Sequence, residues 1–192
     1  MKDNSYFPCL HRVLHWTIAF GILFMFLTIF LRSGWLNTKT MATVMTDTLA
    51  AKGVVLSQKD AMDVARQFWR PVGLWHTYVG YALVGLFGVR LTYWFGKGAK
   101  FPSPLAKTST PKQKLQGVAY IAFYAALAGV LVTGLLLKFG SKDLHNTFKT
   151  IHSVVFYGLV AFVVLHLVGI VIGEKTDEKG IVSKMIGGHG IS

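Results

Sequence analysis

Cysteine is all but missing from this chain. Cys9 is the only one in 192 residues, so no intrachain disulfide can form, and we read it as a small buried residue rather than a reactive thiol. Charge is scarce as well. Only 15% of residues are charged, and they are segregated between apolar runs. With 53% hydrophobic residues and a mean hydropathy of +0.49, the composition is too apolar for an ordinary soluble domain. Acidic residues are the rarer sign, 8 against 20 Lys and Arg, for a formal net charge of +12. Such an excess can mark nucleic-acid binding, yet no nucleic-acid-binding motif is present. The basic residues flank apolar runs, where lipid headgroups and membrane topology account for them. There is no internal repeat. The first apolar run, Val13 to Leu31, is longer than a signal-peptide core and no small-residue cleavage site follows it, so it is expected to stay as a span.

What is present is four long apolar runs, roughly Leu10 to Leu31, Val72 to Phe95, Leu115 to Leu137 and Phe148 to Ile172. Each has about the 20 residues needed to cross ~30 Å of hydrocarbon. The expected fold is all-α: an integral membrane four-helix up-down bundle, one membrane domain over residues 1–192, with a long loop between spans one and two. Pro71 suits the start of the second span, where a missing N–H does no harm. Gly140 is placed to cap the third, and Gly173-Glu174-Lys175 ends the fourth and opens a polar tail.

The long loop, Arg32 to Arg70, has structure of its own. Ser57-Gln58-Lys59-Asp60 resembles a capping box with Asp in the last place, and Ala61, Val64, Ala65 and Phe68 follow at helical spacing. Met41 to Lys52 fits a second short helix stopped by Gly53. These helices either cap the bundle or offer a docking face. The connection Gly96 to Lys114, with Pro102, Pro104 and Pro111 among lysines, reads as loop.

An even number of spans puts both termini on one side, which collects eleven of the 20 Lys and Arg against nine opposite. The short loop between spans two and three holds five of the eleven: Lys97, Lys100, Lys107, Lys112 and Lys114. Charges in short loops weigh most in orientation, which favours cytoplasmic termini.

Histidine carries the chemistry. His152 and His166 stand fourteen residues apart in the run Ile151 to Ile172. On a helix that interval is about 40° short of four turns and rises about 21 Å, so both rings face nearly one way at two depths. His15 and His76 lie in other spans. Imidazole is costly in lipid without a partner. Span direction sorts the four by depth: His15 with His166 near the termini, His76 with His152 on the far side. An interhelical hydrogen bond explains any one of them. Four at matched depths point to two haem irons, each held by a histidine from each of two helices. The sequence has no Cys-x-x-Cys-His, so axial ligands and packing would hold the haem, not thioether bonds. Zinc fits less well, because two histidines leave a tetrahedral site half empty.

Ala19 and Gly80, each four residues after a candidate ligand, are small enough to let a flat macrocycle approach, and Gly129 and Gly134 open space in the third span. Close helix packing is the competing role for these glycines. Arg90, fourteen residues after His76, comes near the level of His15 and His166, where a propionate would need a cation. Arg12, one turn before His15, is a second candidate, and Arg66 and Arg70 are candidates on the far side. For each, the commoner role is a snorkelling membrane-edge anchor. His11 and His145 are competing ligands nearer the membrane edge; His189 is in the tail.

Leu14-His15-Trp16, Trp75-His76 with Gly80, and the His152/His166 pair together resemble the bacterial cytochrome b561 and nickel-iron-hydrogenase b-type cytochrome subunit family. The layout is also similar to the gamma subunits of membrane formate dehydrogenases. The resemblance implies that His15, His76, His152 and His166 are axial ligands of two b haems. It further implies a quinone site near a haem at the membrane edge. The expected function is a di-haem cytochrome of the bacterial inner membrane, the electron-transfer subunit of a membrane oxidoreductase. It would join the quinone pool to a redox protein subunit or cytochrome on the far side, with no nucleic-acid partner. The resemblance also allows a second reading, a stand-alone superoxide:quinone oxidoreductase, with the far-side cations Arg66, Arg70 and Lys149 able to attract an anion. A non-redox membrane anchor or small transporter is the third.

Overall fold

The computed structural model describes residues 8–34, 36–97, 110–176 and 179–188. They form six helices: α1 (Cys9–Ser33), α2 (Thr38–Ala50), α3 (Gln58–Lys97), α4 (Pro111–Phe139), α5 (His145–Lys175) and α6 (Ile181–Gly187), with no strand among the described residues. The fold class is all-α, and α1, α3, α4 and α5 are each long and apolar enough to cross a membrane. Long apolar runs take this form because hydrocarbon offers no partner to backbone N–H and C=O groups, which a helix satisfies internally. Large apolar side chains stay outside: Phe20, Val154 and Leu165 are 64%, 66% and 69% exposed. That suits helices surrounded by lipid and would be a liability in water. Cys9 is exposed at the start of α1 rather than buried, because it lies at the helix end, before the first buried residue of the α1 stripe.

The chain divides into two compact units, Met1–Trp16 with Leu86–Ser192, and Thr17–Gly85. In the second unit, α1 and α3 pack antiparallel. Thr28 meets His76, a Cβ on Gly80 would lie 3.7 Å from Met25 Cε, and one on Gly21 would lie 2.7 Å from Leu83 Cδ2. Gly21 therefore allows a close approach that a larger residue would block. In the first unit, α4 packs antiparallel on α5, with Phe123 against Phe162, a Cβ on Gly129 facing Val155 at 3.4 Å, and Thr133 against His152.

Pro71 does not open a helix; it lies inside the 40-residue α3. The amphipathic stretch and the second span are one element, about 60 Å long at 1.5 Å per residue. The reason lies in phase. Ala61, Ala65, Trp69, Val72, His76 and Leu83 form the less exposed stripe of α3, which keeps its i+3/i+4 steps through the proline. Of the apolar residues expected to form that face, Ala61 and Ala65 are fully buried, whereas Val64 and Phe68 are exposed. Ser57 caps the start of α3 through Asp60 alone. Its Oγ accepts from Asp60 N–H at 3.1 Å and donates to the Asp60 carboxylate at 2.6 Å. The second helix of the loop is α2, with Ala42 buried and Gly53 following at φ +75°.

Pro111 belongs to a helix and not to a loop. Thr110 and Gln113 form a reciprocal capping box, and Pro111 is the first residue of α4. Pro102, Pro104, Lys100 and Lys107 lie outside the described residues, as do Lys2 and His189. Gly140 ends α4, where a Cβ would collide with the Leu136 carbonyl. The tail beyond α5 contains α6, whose start is capped by the Glu174 carboxylate. That group accepts from Gly180 N–H at 2.8 Å and Val182 N–H at 3.3 Å.

Candidate functional site

The first unit brings His15 and His166 together. Their ring centres are 6.4 Å apart, with planes inclined by 57°. Two imidazoles sharing a metal, at about 2 Å per metal–nitrogen bond and about 1 Å from nitrogen to ring centre, have centres about 6 Å apart. The spacing fits one metal ion between them. Among the described residues no group of three or more His, Cys, Asp or Glu could hold a metal. A pair alone suits a metal whose other positions are filled by a macrocycle. Aromatic rings surround the pair: Trp16 meets His15 edge-on at 5.5 Å, and Phe162 stacks on His166 at 5.9 Å, backed by Phe123. His166 is exposed and His15 half-buried, which leaves space beside the pair for a flat group.

Arg12 and Arg90 flank this level but carry structural bonds. Arg12 Nη1 donates to the Ile186 carbonyl at 2.8 Å and Trp16 Nε1 to the Met185 carbonyl at 3.1 Å, docking the end of α6 onto α1. Arg12 Nε is buried without a hydrogen-bond partner. Arg90 Nε donates to Tyr124 Oη at 3.0 Å and Nη1 to the His11 carbonyl at 3.4 Å. Tyr124 in turn stacks on Trp94. Arg90 thus cross-links α1, α3 and α4 within the unit. His145 opens α5 and is exposed.

His76 and His152 lie in different units, and each has the same neighbour. Thr28 Oγ is 2.8 Å from His76 Nδ1, and Thr133 Oγ is 3.0 Å from His152 Nδ1. The sequence reading missed both threonines. Gly134 lies against the His152 ring, where a Cβ would sit 3.4 Å from Cε1. Gly129 serves α4–α5 packing, and Gly80 keeps only an ordinary contact beyond its Cα. Trp69 was also missed. Its buried Nε1–H has no hydrogen-bond partner, and it precedes His76 by seven residues, two turns along one face. Arg66 is ion-paired with Asp63 at 2.6 Å, which offsets its charge as an anion attractor; Arg70 is exposed. Lys149 lines a shallow concavity of about 470 Å³ on α5 with Asn146, Thr150 and Ser153.

The first unit thus holds His15, His152 and His166 with the buried, unsatisfied Arg12 Nε–H, and the second holds His76 with the buried, unsatisfied Trp69 Nε1–H. A bound carboxylate would satisfy either donor, and a haem brings two carboxylates. The residues fit a haem. No curated protein and no solved structure matches the chain significantly. The family model for prokaryotic cytochrome b561 matches residues 6–188, and the chain belongs to that family of multi-pass membrane proteins that bind b-type haem and transfer electrons.

Proposed function

We propose that this cytochrome holds two b haems and passes electrons between the quinone pool and a redox partner across the bacterial inner membrane, with its termini cytoplasmic. His15 and His166 would hold the haem on the terminal side, and His76 and His152 the one on the far side. The observation that carries the reading is the 6.4 Å between the His15 and His166 ring centres. The second pair follows from span direction alone, which puts His76 and His152 at the start of their spans on the far side.

Bound haem supplies an iron that accepts and releases single electrons. The chain supplies the rest. Imidazole nitrogens from two helices would hold the metal. Trp16, Phe123 and Phe162 line the terminal-side level with aromatic rings. Arg12 Nε–H and Trp69 Nε1–H would donate to its carboxylates, Arg90 and Arg70 would add positive charge, and Gly134 admits the His152 ring against α4. The quinone meets the terminal-side level at the membrane edge, and the partner meets the far side.

The test is haem stoichiometry and redox spectra of the purified protein and of His152→Ala and His166→Ala. Two haems per chain are expected, with each variant losing one and keeping the other. One haem per chain in the parent, or equal loss of both from each variant, would overturn the reading.

A further inference from the structure

Thr28 and Thr133 are the buried polar side chains among the described residues, 5% and 7% exposed. A polar group so placed inside an apolar helix needs a bonding partner. Both have the same partners: a carbonyl of their own preceding turn and the Nδ1 of a histidine on the helix packed opposite. Thr28 Oγ donates to Met25 O at 2.7 Å. Thr133 Oγ donates to Gly129 O at 2.6 Å, with Val130 O at 3.2 Å. A hydroxyl has one hydrogen, and a carbonyl can only accept. With that hydrogen given to the helix backbone, each hydroxyl can only accept from the ring. Nδ1 of His76 and of His152 therefore carries the hydrogen, and the lone pair of the neutral imidazole is on Nε2.

We infer that Thr28 and Thr133 are positioning residues: each fixes the tautomer and ring angle of a far-side histidine so that Nε2 is presented as the electron-pair donor to iron. The inference rests on the proposed axial role of His76 and His152 and adds how those ligands are set. A hydrogen bond to the distal N–H of a ligating imidazole orients the ring and raises its basicity. It thereby favours the oxidised, more electrophilic iron. The terminal-side pair lacks the device. Among the described residues His15 and His166 make ring contacts and no hydrogen bond. The two centres are thus built with unequal ligand basicity, the far-side one holding the lower potential on this account.

The test uses Thr28→Val and Thr133→Val, which keep shape and remove the hydroxyl, with Thr28→Ser and Thr133→Ser as rescues. Purified holoprotein is titrated potentiometrically while haem content and the low-spin EPR signals are recorded. Both Val variants are expected to move the same one of the two titration steps upward and leave the other in place. A tenfold loss of preference for the oxidised form is a shift of about 59 mV for one electron. The Ser variants return to the parent value. If a Val variant instead loses one haem, restoration of that haem and its potential by Ser supports the inference equally. Val variants with full haem content, unmoved potentials and unmoved EPR signals would overturn it, as would a shift of different steps by the two threonines. Retention of both haems in His76→Ala and His152→Ala would mark failure of the axial assignment itself, separately from that of the threonine role.

Discussion

Replacing Gly188 by Ala should release α6 from α1, and the size of the effect follows from two terms. Gly188 ends α6 at φ +79°, ψ −7°, a left-handed conformation. A side chain there costs about 1–2 kcal/mol. The new Cβ would also lie 2.9 Å from Arg12 Cζ and Nη1, so the guanidinium must move and its 2.8 Å bond to Ile186 O is lost. That bond is exposed, so it is taken at about 1 kcal/mol, below the usual range for a charged donor. Together the terms come to about 2–3 kcal/mol, roughly a 30- to 150-fold shift toward undocked α6. A helix of seven residues has little stability of its own, so release means unfolding. Gly187→Ala is the control. A Cβ there meets nothing within 4 Å, and as the last residue of α6 it keeps helical backbone, where Ala is favoured by up to about 1 kcal/mol. Hydrogen exchange of the α6 amides in detergent reads both variants. Gly188→Ala should exchange faster by that factor and Gly187→Ala more slowly. Equal exchange in Gly188→Ala and the parent, or a common direction for both variants, would refute the reasoning.

Much of this architecture is legible in the sequence because spanning a membrane demands a particular length of apolar chain. Four runs of that length became four helices, and His15 and His166, assigned to one depth by span direction alone, lie with rings 6.4 Å apart. What was not legible has physical reasons. A proline at the edge of an apolar run looks the same whether a helix starts there or passes through. Only the phase of Ala61, Ala65, Trp69, Val72 and His76 betrays that α3 is continuous. The Thr110-Pro111-Lys112-Gln113 signature of a helix start was present, but it lay among the prolines of a segment read as loop. Thr28 and Thr133 had no signal at all. A threonine in an apolar run can satisfy itself on its own backbone, so its second bond depends on helix register, which no local pattern encodes. Arg12 and Arg90 were assigned to the level of His15 and His166 as free cations, yet part of each guanidinium is committed to Ile186, Tyr124 and the His11 carbonyl.

Two further predictions concern helix integrity. Thr110→Ala removes one half of the α4 capping box and should lower stability by about 1 kcal/mol, read as earlier thermal loss of helical circular dichroism; no change would mean that the start of α4 is held by other contacts. Pro71→Ala should act the other way. Pro71 has no N–H for the Gln67 carbonyl, and its ring crowds that oxygen inside a helix that continues on both sides. Alanine restores the missing bond and removes the crowding, a gain of up to about 3 kcal/mol, visible as a raised melting temperature and slower exchange of the amides around residue 71. An unchanged melting temperature would refute this and show that a neighbouring side chain or ordered water already bonds the Gln67 carbonyl, as membrane helices allow. A higher melting temperature with one haem lost would show that the proline sets the angle between the Trp69 and His76 segments of α3, at the expense of the helix's own stability.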